Sequence, residues 1–292
     1  MTRWIGRVIV GVLASGALLA ARQQNVFHAE TEGVSVNVSV RSGNKAVTGL
    51  TAADFELRDN GVKQSIATLS VEALPIDVTL LLDVSHSVEG QRLERLKYSV
   101  GETAQLLHPE DRLRLIAVQH TLREVFPFQP GGSRPSVESL TAAGGTSLYD
   151  GLAAAMMRAS TPDRRQLIVA YTDGQDTISV MSIDTVREIA GFADAVVQLV
   201  VPTIRAPGSS RPEVIPAAGV LSDLATRTGG QLFIMDFAAP ISDAFKQAID
   251  DFRTSYVLRY TPTGVTRAGW HELDVKVTSG TYDVRARKGY GG

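Results

Sequence analysis

Residues 76–87 read IDVTLLLDVSHS, and their order decides the fold. Ile76–Leu82 is an apolar run of strand length, the pattern of a strand covered on both faces in a parallel sheet. The run stops at Asp83, and Ser85 and Ser87 follow at alternate positions. In an open α/β sheet, ligands bind beyond the carboxyl ends of the strands. One carboxylate and two hydroxyls delivered to that edge make a candidate site.

Outward from this strand, helical and strand patterns alternate. Leu93, Leu96, Val100, Ala104 and Leu107 recur at helical spacing, and Arg112–Gln119 (RLRLIAVQ) is strand-like. Leu148–Ala159 is helical and Ala-rich, and Gln166–Tyr171 is a second buried strand. Thr185–Ala193, Gly219–Thr228 and Ile241–Phe252 read as helices, Ala195–Val201 and Gln231–Met235 as strands. Arg205–Pro216, rich in Pro, Gly and Ser, reads as an exposed loop. This alternation predicts a doubly wound, mostly parallel α/β sheet over residues 75–252.

The flanks have a period of two. Val34, Val36, Val38 and Val40 share one face, while Ser35, Asn37, Ser39 and Arg41 share the other. DFELRDNG and SIATLSVEA continue the pattern, with Asp59-Asn60-Gly61 as a turn between strands. Strand patterns return in SYVLRY, HELDVKVT and YDVRARKG from Ser255 onward. Each flank alone supplies few strands. The expectation is a small all-β domain built from residues 30–74 and 253–292, with the α/β unit inserted between its halves.

At the start of the chain, Arg3 and Arg7 accompany an apolar stretch from Val8 to Ala20. That is shorter than the roughly 20 residues a membrane span needs. It reads as an export signal over residues 1–21, with small residues Ala20 and Ala21 at a cleavage point. An uncleaved membrane anchor is the alternative. The expected destination is periplasmic, secreted or cell-surface.

Composition narrows the function classes. The 292 residues are 44% hydrophobic and 21% charged, as in ordinary globular proteins. A net charge of −2, with no Lys/Arg cluster, argues against nucleic acid as a partner. Cysteine is absent, which excludes disulfides, thiolate metal sites, cysteine nucleophiles and a lipid anchor on cysteine. The five histidines are scattered, and neither a GxSxG elbow nor a GxxxxGK[ST] loop occurs. Ser85 stands where a haloacid-dehalogenase phosphatase needs Asp, and no base is nominated for it as a nucleophile. The chain does not read as an enzyme.

Two further segments join the first. Thr146 lies in AAGGTSLYDG after Gly144 and Gly145, which admit a close backbone approach. Asp173 follows the strand QLIVAYT. Hard cations such as Mg²⁺ take oxygen ligands, keep several waters and need only one or two carboxylates. Asp83, Ser85, Ser87, Thr146 and Asp173 together suit that chemistry. Singly, each has an ordinary alternative: Asp83 or the serines capping a turn, Asp173-Gly174 as a turn pair. Asp150 is a supporting acceptor or a helix cap, Asp176 a rim residue, and His86 a surface residue.

DVSHS, then GGTSLYDG, then YTDG resembles the metal-ion-dependent adhesion site of the von Willebrand factor A domain family: Asp-x-Ser-x-Ser, a distant Thr and a distant Asp. The flanks VTGLTAADFELRDNGVKQSI, SYVLRYTP and VRARKGY are similar to an exported bacterial subgroup termed VWFA-related. The resemblance implies that Ser85 and Ser87 bind a divalent metal (Mg²⁺, Mn²⁺ or Ca²⁺) directly. It implies that Thr146 binds directly or through water, and that Asp83 and Asp173 act mainly through waters or the ligating hydroxyls. A carboxylate of a protein partner then completes the metal. An exported scaffold or assembly factor, whose A domain tunes conformation, is the alternative function. In A domains, closure of the site can be coupled to the last helix, here Ile241–Phe252.

Overall fold

The computed structural model describes residues 33–71, 74–158, 161, 163–173, 176–204 and 213–292. The expected export signal, residues 1–21, lies outside them, as does most of the loop Arg205–Pro216. Val36, Val38 and Val40 are buried along one side of β1 (Val34–Ser42), as their period requires. The strands β2 (Lys45–Ala46), β3 (Phe55–Asp59), β4 (Val62–Gln64) and β5 (Ile66–Ser70) follow. Asn60 and Gly61 join β3 to β4 with φ of 46° and 78°, left-handed values that suit an Asn-Gly hairpin.

The α/β part begins with β6 (Ile76–Asp83), buried at every position, then α1 (Gln91–Leu106) and β7 (Arg112–Val118). It continues through β8 (Leu122–Pro130), α2 (Leu148–Met156), β9 (Arg165–Tyr171) and α3 (Ile183–Phe192). β10 (Val196–Pro202), α4 (Ala218–Arg227), β11 (Leu232–Met235) and α5 (Ile241–Arg253) complete it. The strand order is β11-β10-β9-β6-β7-β8, parallel except for β8, which runs antiparallel to β7. The sheet is therefore mixed. The periodicity does not announce β8, because Pro127 and Pro130 interrupt it; proline is tolerated there because β8 is an edge strand.

Helices cover both faces. Leu96 and Val100 of α1, with Phe245 and Ile249 of α5, pack in one core with Val78, Leu80 and Leu82. Leu152 of α2, Val186 of α3 and Leu224 of α4 share the opposite core with Leu81, Val197 and Leu199. From β6 the chain moves to β7 on one side, and only later reaches β9 on the other. That reversal opens a crevice between the carboxyl ends of β6 and β9, where α/β sheets take ligands.

After α5 come β12 (Tyr256–Tyr260), β13 (Trp270–Val277), β14 (Asp283–Ala286) and β15 (Gly289–Gly291). Strands from the two ends of the chain interleave. β1 pairs antiparallel with β12 and β14, giving the order β14-β1-β12-β5, while β3 lies between β13 and β4 in β15-β13-β3-β4. Val36, Val38, Leu57, Tyr256 and Leu258 form their shared core.

A separate all-β domain is nevertheless not confirmed, because Glu32–Gly292 make one compact unit. The polar side of β1 explains this. Ser39 Oγ donates to Asp251 Oδ1 at 3.1 Å, Arg41 Nη1 at 2.8 Å, and Asn37 Oδ1 accepts from Arg165 Nη2 at 2.9 Å. These residues bond to α5 and β9 instead of facing water. Among the described residues, no helix is long and apolar enough to cross a membrane.

Candidate metal centre

Asp83 is the last residue of β6 and is fully buried. Its two oxygens are held from two strands' ends. Ser85 N donates to Oδ1 at 2.9 Å, and Thr172 Oγ1, one residue past β9, donates to Oδ2 at 2.9 Å. Register accounts for the second bond, since Leu82 pairs with Tyr171 and the next positions are Asp83 and Thr172. Ser85 is buried and Ser87 exposed, and their hydroxyls meet at 3.0 Å across a short 3-10 turn.

The Thr146 loop is stitched to this turn by backbone. His86 N donates to Gly144 O at 3.1 Å and Ala143 N to Val84 O at 3.1 Å. Gln119 extends the anchoring, its Nε2 reaching Val84 O at 3.1 Å while its carbonyl accepts from Ser147 N at 2.9 Å. Gly144 has φ +68°, and a Cβ there would meet the His120 ring, so glycine is required twice over. Thr146 itself is buried, with its N–H on Thr177 Oγ1 at 2.8 Å.

Asp173 stands at the partly exposed side. Its Oδ2 lies 3.9 Å from Arg92 Nη1, and its charge is felt by Asp83. Burial pushes the Asp83 carboxyl above its ordinary value; the charge of Asp173 adds to the rise, against the hydrogen bonds from Ser85 and Thr172. Two like charges so placed, with hydroxyls beside them, favour a bound cation. Among the described residues there is no cluster of three His, Cys, Asp or Glu side chains. Any ion here must be taken by neutral oxygens with few carboxylates, a donor set that fits a hard divalent cation.

The secondary positions resolve differently. Asp150 accepts from Val180 N at 3.0 Å and Met181 N at 2.9 Å, so it ties down a neighbouring loop. Asp176 accepts from Tyr149 N at 2.9 Å, fixing that loop to the first turn of α2. His86 points outward, its Nδ1 3.1 Å from Glu89 Oε2, with 78% of the side chain exposed. Two neighbours were not legible from the motif. Thr172 lacks a pattern of its own beyond standing before Asp173. Arg92 comes from the first turn of α1, where its charge has no signature.

Residues 78–175, about a third of the chain, match the family model of the von Willebrand factor type A domain, and the matched span contains all five site residues. An uncharacterized protein of Synechocystis is 33% identical over 109 residues, 35% of this chain. The chain spans only 26% of that relative's length. A von Willebrand factor type A structure from Catenulispora acidiphila superposes over 88% of this chain and 73% of its own, with a TM-score of 0.51 and 12% identity. Proximal thread matrix protein 1 of the mussel byssus, with a zinc-occupied MIDAS motif, aligns over 66% of this chain and 49% of its own, at a TM-score of 0.48 and 13% identity.

Proposed function

We propose that the chain, whose residues 78–175 match the von Willebrand factor type A domain model, is an exported protein-binding module whose grip on its partner depends on a divalent metal. Asp83, Ser85, Ser87, Thr146 and Asp173 would hold the ion. The hydroxyls serve as neutral ligands, and the two carboxylates balance its charge through waters or through those hydroxyls. A divalent ion bound there supplies an open coordination position that a partner's carboxylate can fill. The observation that carries this reading is the convergence of three loops at the β6–β9 crevice, with Ser85 Oγ and Ser87 Oγ 3.0 Å apart beside the buried Asp83.

The surroundings favour a protein over a small molecule. Ile178 and Val180 are 45% and 94% exposed, on a loop whose Ile178 N–H donates to Thr146 O at 3.3 Å. Apolar side chains presented beside a metal site suit the desolvated centre of a protein interface.

The experiment is calorimetric titration of Mg²⁺ and Mn²⁺ into chelator-treated protein, beside Asp83→Ala and Ser85→Ala. One saturable site, lost in both variants, supports the reading. Absence of binding at about 10 mM, above what weak extracellular hard-cation sites need, refutes it.

A further inference from the structure

Arg92 is a cation fixed against the site. Its Nη1 lies 3.9 Å from Asp173 Oδ2 and donates to Ser87 O at 3.4 Å, so it touches two of the three site loops. The guanidinium is centred 4.5 Å over the Phe237 ring. That ring is itself held: Arg95 Nη1 donates to Phe237 O at 2.9 Å, and Phe237 N donates to Thr203 Oγ1 at 3.2 Å. Only 20% of the Arg92 side chain is exposed. This is a preorganised charge on an aromatic platform, unlike a free surface arginine.

Its electrostatic effect has opposite signs for the two binding events. Toward a bare cation, Arg92 repels and competes for Asp173. Toward an arriving carboxylate, it attracts, and a guanidinium offers the planar donor fork that carboxylates match. We propose that Arg92 is the specificity-determining residue of the site: it weakens binding of the metal alone and strengthens binding of metal plus carboxylate, so that the site is selective for an acidic partner. This rests on the metal-dependent reading above and adds to it which residue selects the partner, and by which charge.

The test uses Mn²⁺, followed by the electron paramagnetic resonance of the free ion, with acetate as the carboxylate probe against chloride at equal ionic strength. Arg92→Met keeps an unbranched stem on Phe237 and removes the charge. In chloride it is expected to bind Mn²⁺ about five- to tenfold more tightly than the wild type, the size of one unit charge near a divalent ion in a largely aqueous dielectric. Arg92→Lys should stay close to the wild type in chloride. Acetate should tighten Mn²⁺ binding to the wild type, and by linkage that coupling should be several-fold weaker in Arg92→Met, which keeps only the part due to direct ligation of the ion. Phe237→Leu, which removes the platform and keeps the charge, should weaken the acetate coupling without the roughly five- to tenfold gain in Mn²⁺ affinity that Arg92→Met shows in chloride.

A structural role would weaken the metal in Arg92→Met and Phe237→Leu alike, and that result overturns the proposal while leaving the metal reading intact. Unchanged Mn²⁺ affinity in Arg92→Met overturns it too. A wild type that binds no Mn²⁺ overturns both.

Discussion

Asp251 tests whether the β strands and the α/β sheet are one cooperative body. It lies near the end of α5 with 4% of its side chain exposed, and it receives Arg41 at 2.8 Å, Ser39 at 3.1 Å and Gln198 at 3.3 Å. Arg285 of β14 lies at 3.5 Å. Asp251→Ala removes the counter-charge of Arg41 and leaves Arg285 only Asp283, at 3.6 Å. Removing one partner of a buried ion pair costs about 3–5 kcal/mol. Arg41 and Arg285 keep 15% and 17% exposure, so solvent screening brings the expected loss to the lower end, about 3 kcal/mol.

Equilibrium urea denaturation reads this directly. With a slope of about 3 kcal/mol/M, the midpoint should fall by about 1 M. Two probes should also coincide. Far-UV circular dichroism follows mainly the helices packed on the six-stranded sheet, while Trp270, on β13 with its ring against Gly191 of α3, reports the contact of flank and helix in fluorescence once Trp4 is replaced by Phe. One unit predicts superimposable transitions in the otherwise wild-type protein. A loss below about 0.5 kcal/mol, within the range of ordinary surface substitutions, or two separated transitions, would refute the reasoning.

Three further outcomes follow from other sites. Asp77 is 2% exposed and bonded by Arg112 and Arg164; burial alone would raise its pKa, but these two cations win and hold it below 3.8. Its stabilisation is therefore complete above that ordinary value and lost as pH falls through the lower folded one, so Asp77→Asn should destabilise by about 2–3 kcal/mol at neutral pH and flatten the acid limb of stability against pH. Gly145→Ala places a Cβ 2.7 Å from Thr177 Oγ1, the acceptor of the Thr146 N–H; Mn²⁺ affinity should drop about tenfold with little change in melting, a split a general packing defect does not produce. Tyr260 Oη donates to buried Asp59 at 2.9 Å, beside His271 and Tyr290, so Tyr260→Phe should cost about 1–2 kcal/mol by denaturation.

The α/β sheet and its crevice were readable because β6 and β9 are apolar runs that stop shortly before polar oxygen donors. A run of buried residues states strand and burial together, and its end states where a ligand edge lies. What the letters lacked was the third dimension of the polar residues. Ser39 and Arg41 follow the alternation of a solvated face, yet Asp251, more than two hundred positions away, turns that face into an interface. β8 was hidden by its prolines. Thr172 was hidden because its role is set by register with Asp83 and not by any spacing along the chain.

In the metal-dependent reading proposed above, the ligand geometry would be held by the protein's own hydrogen bonds. The Asp83 carboxylate is held at both oxygens, the serine hydroxyls are in contact, and the Thr146 loop is bonded to the Asp83 turn through main-chain groups. On that reading little ordering would remain to be done on binding, and more of each interaction's free energy would appear as affinity. The same rigidity has a cost that binding can relieve: a buried carboxylate sits near a second negative charge with only neutral donors against it. A cation removes that penalty, and Arg92 already offsets part of it from the Asp173 side. Strain of this kind, placed at a sheet's switch point and not in its core, is what a binding site requires and what a purely structural loop would shed.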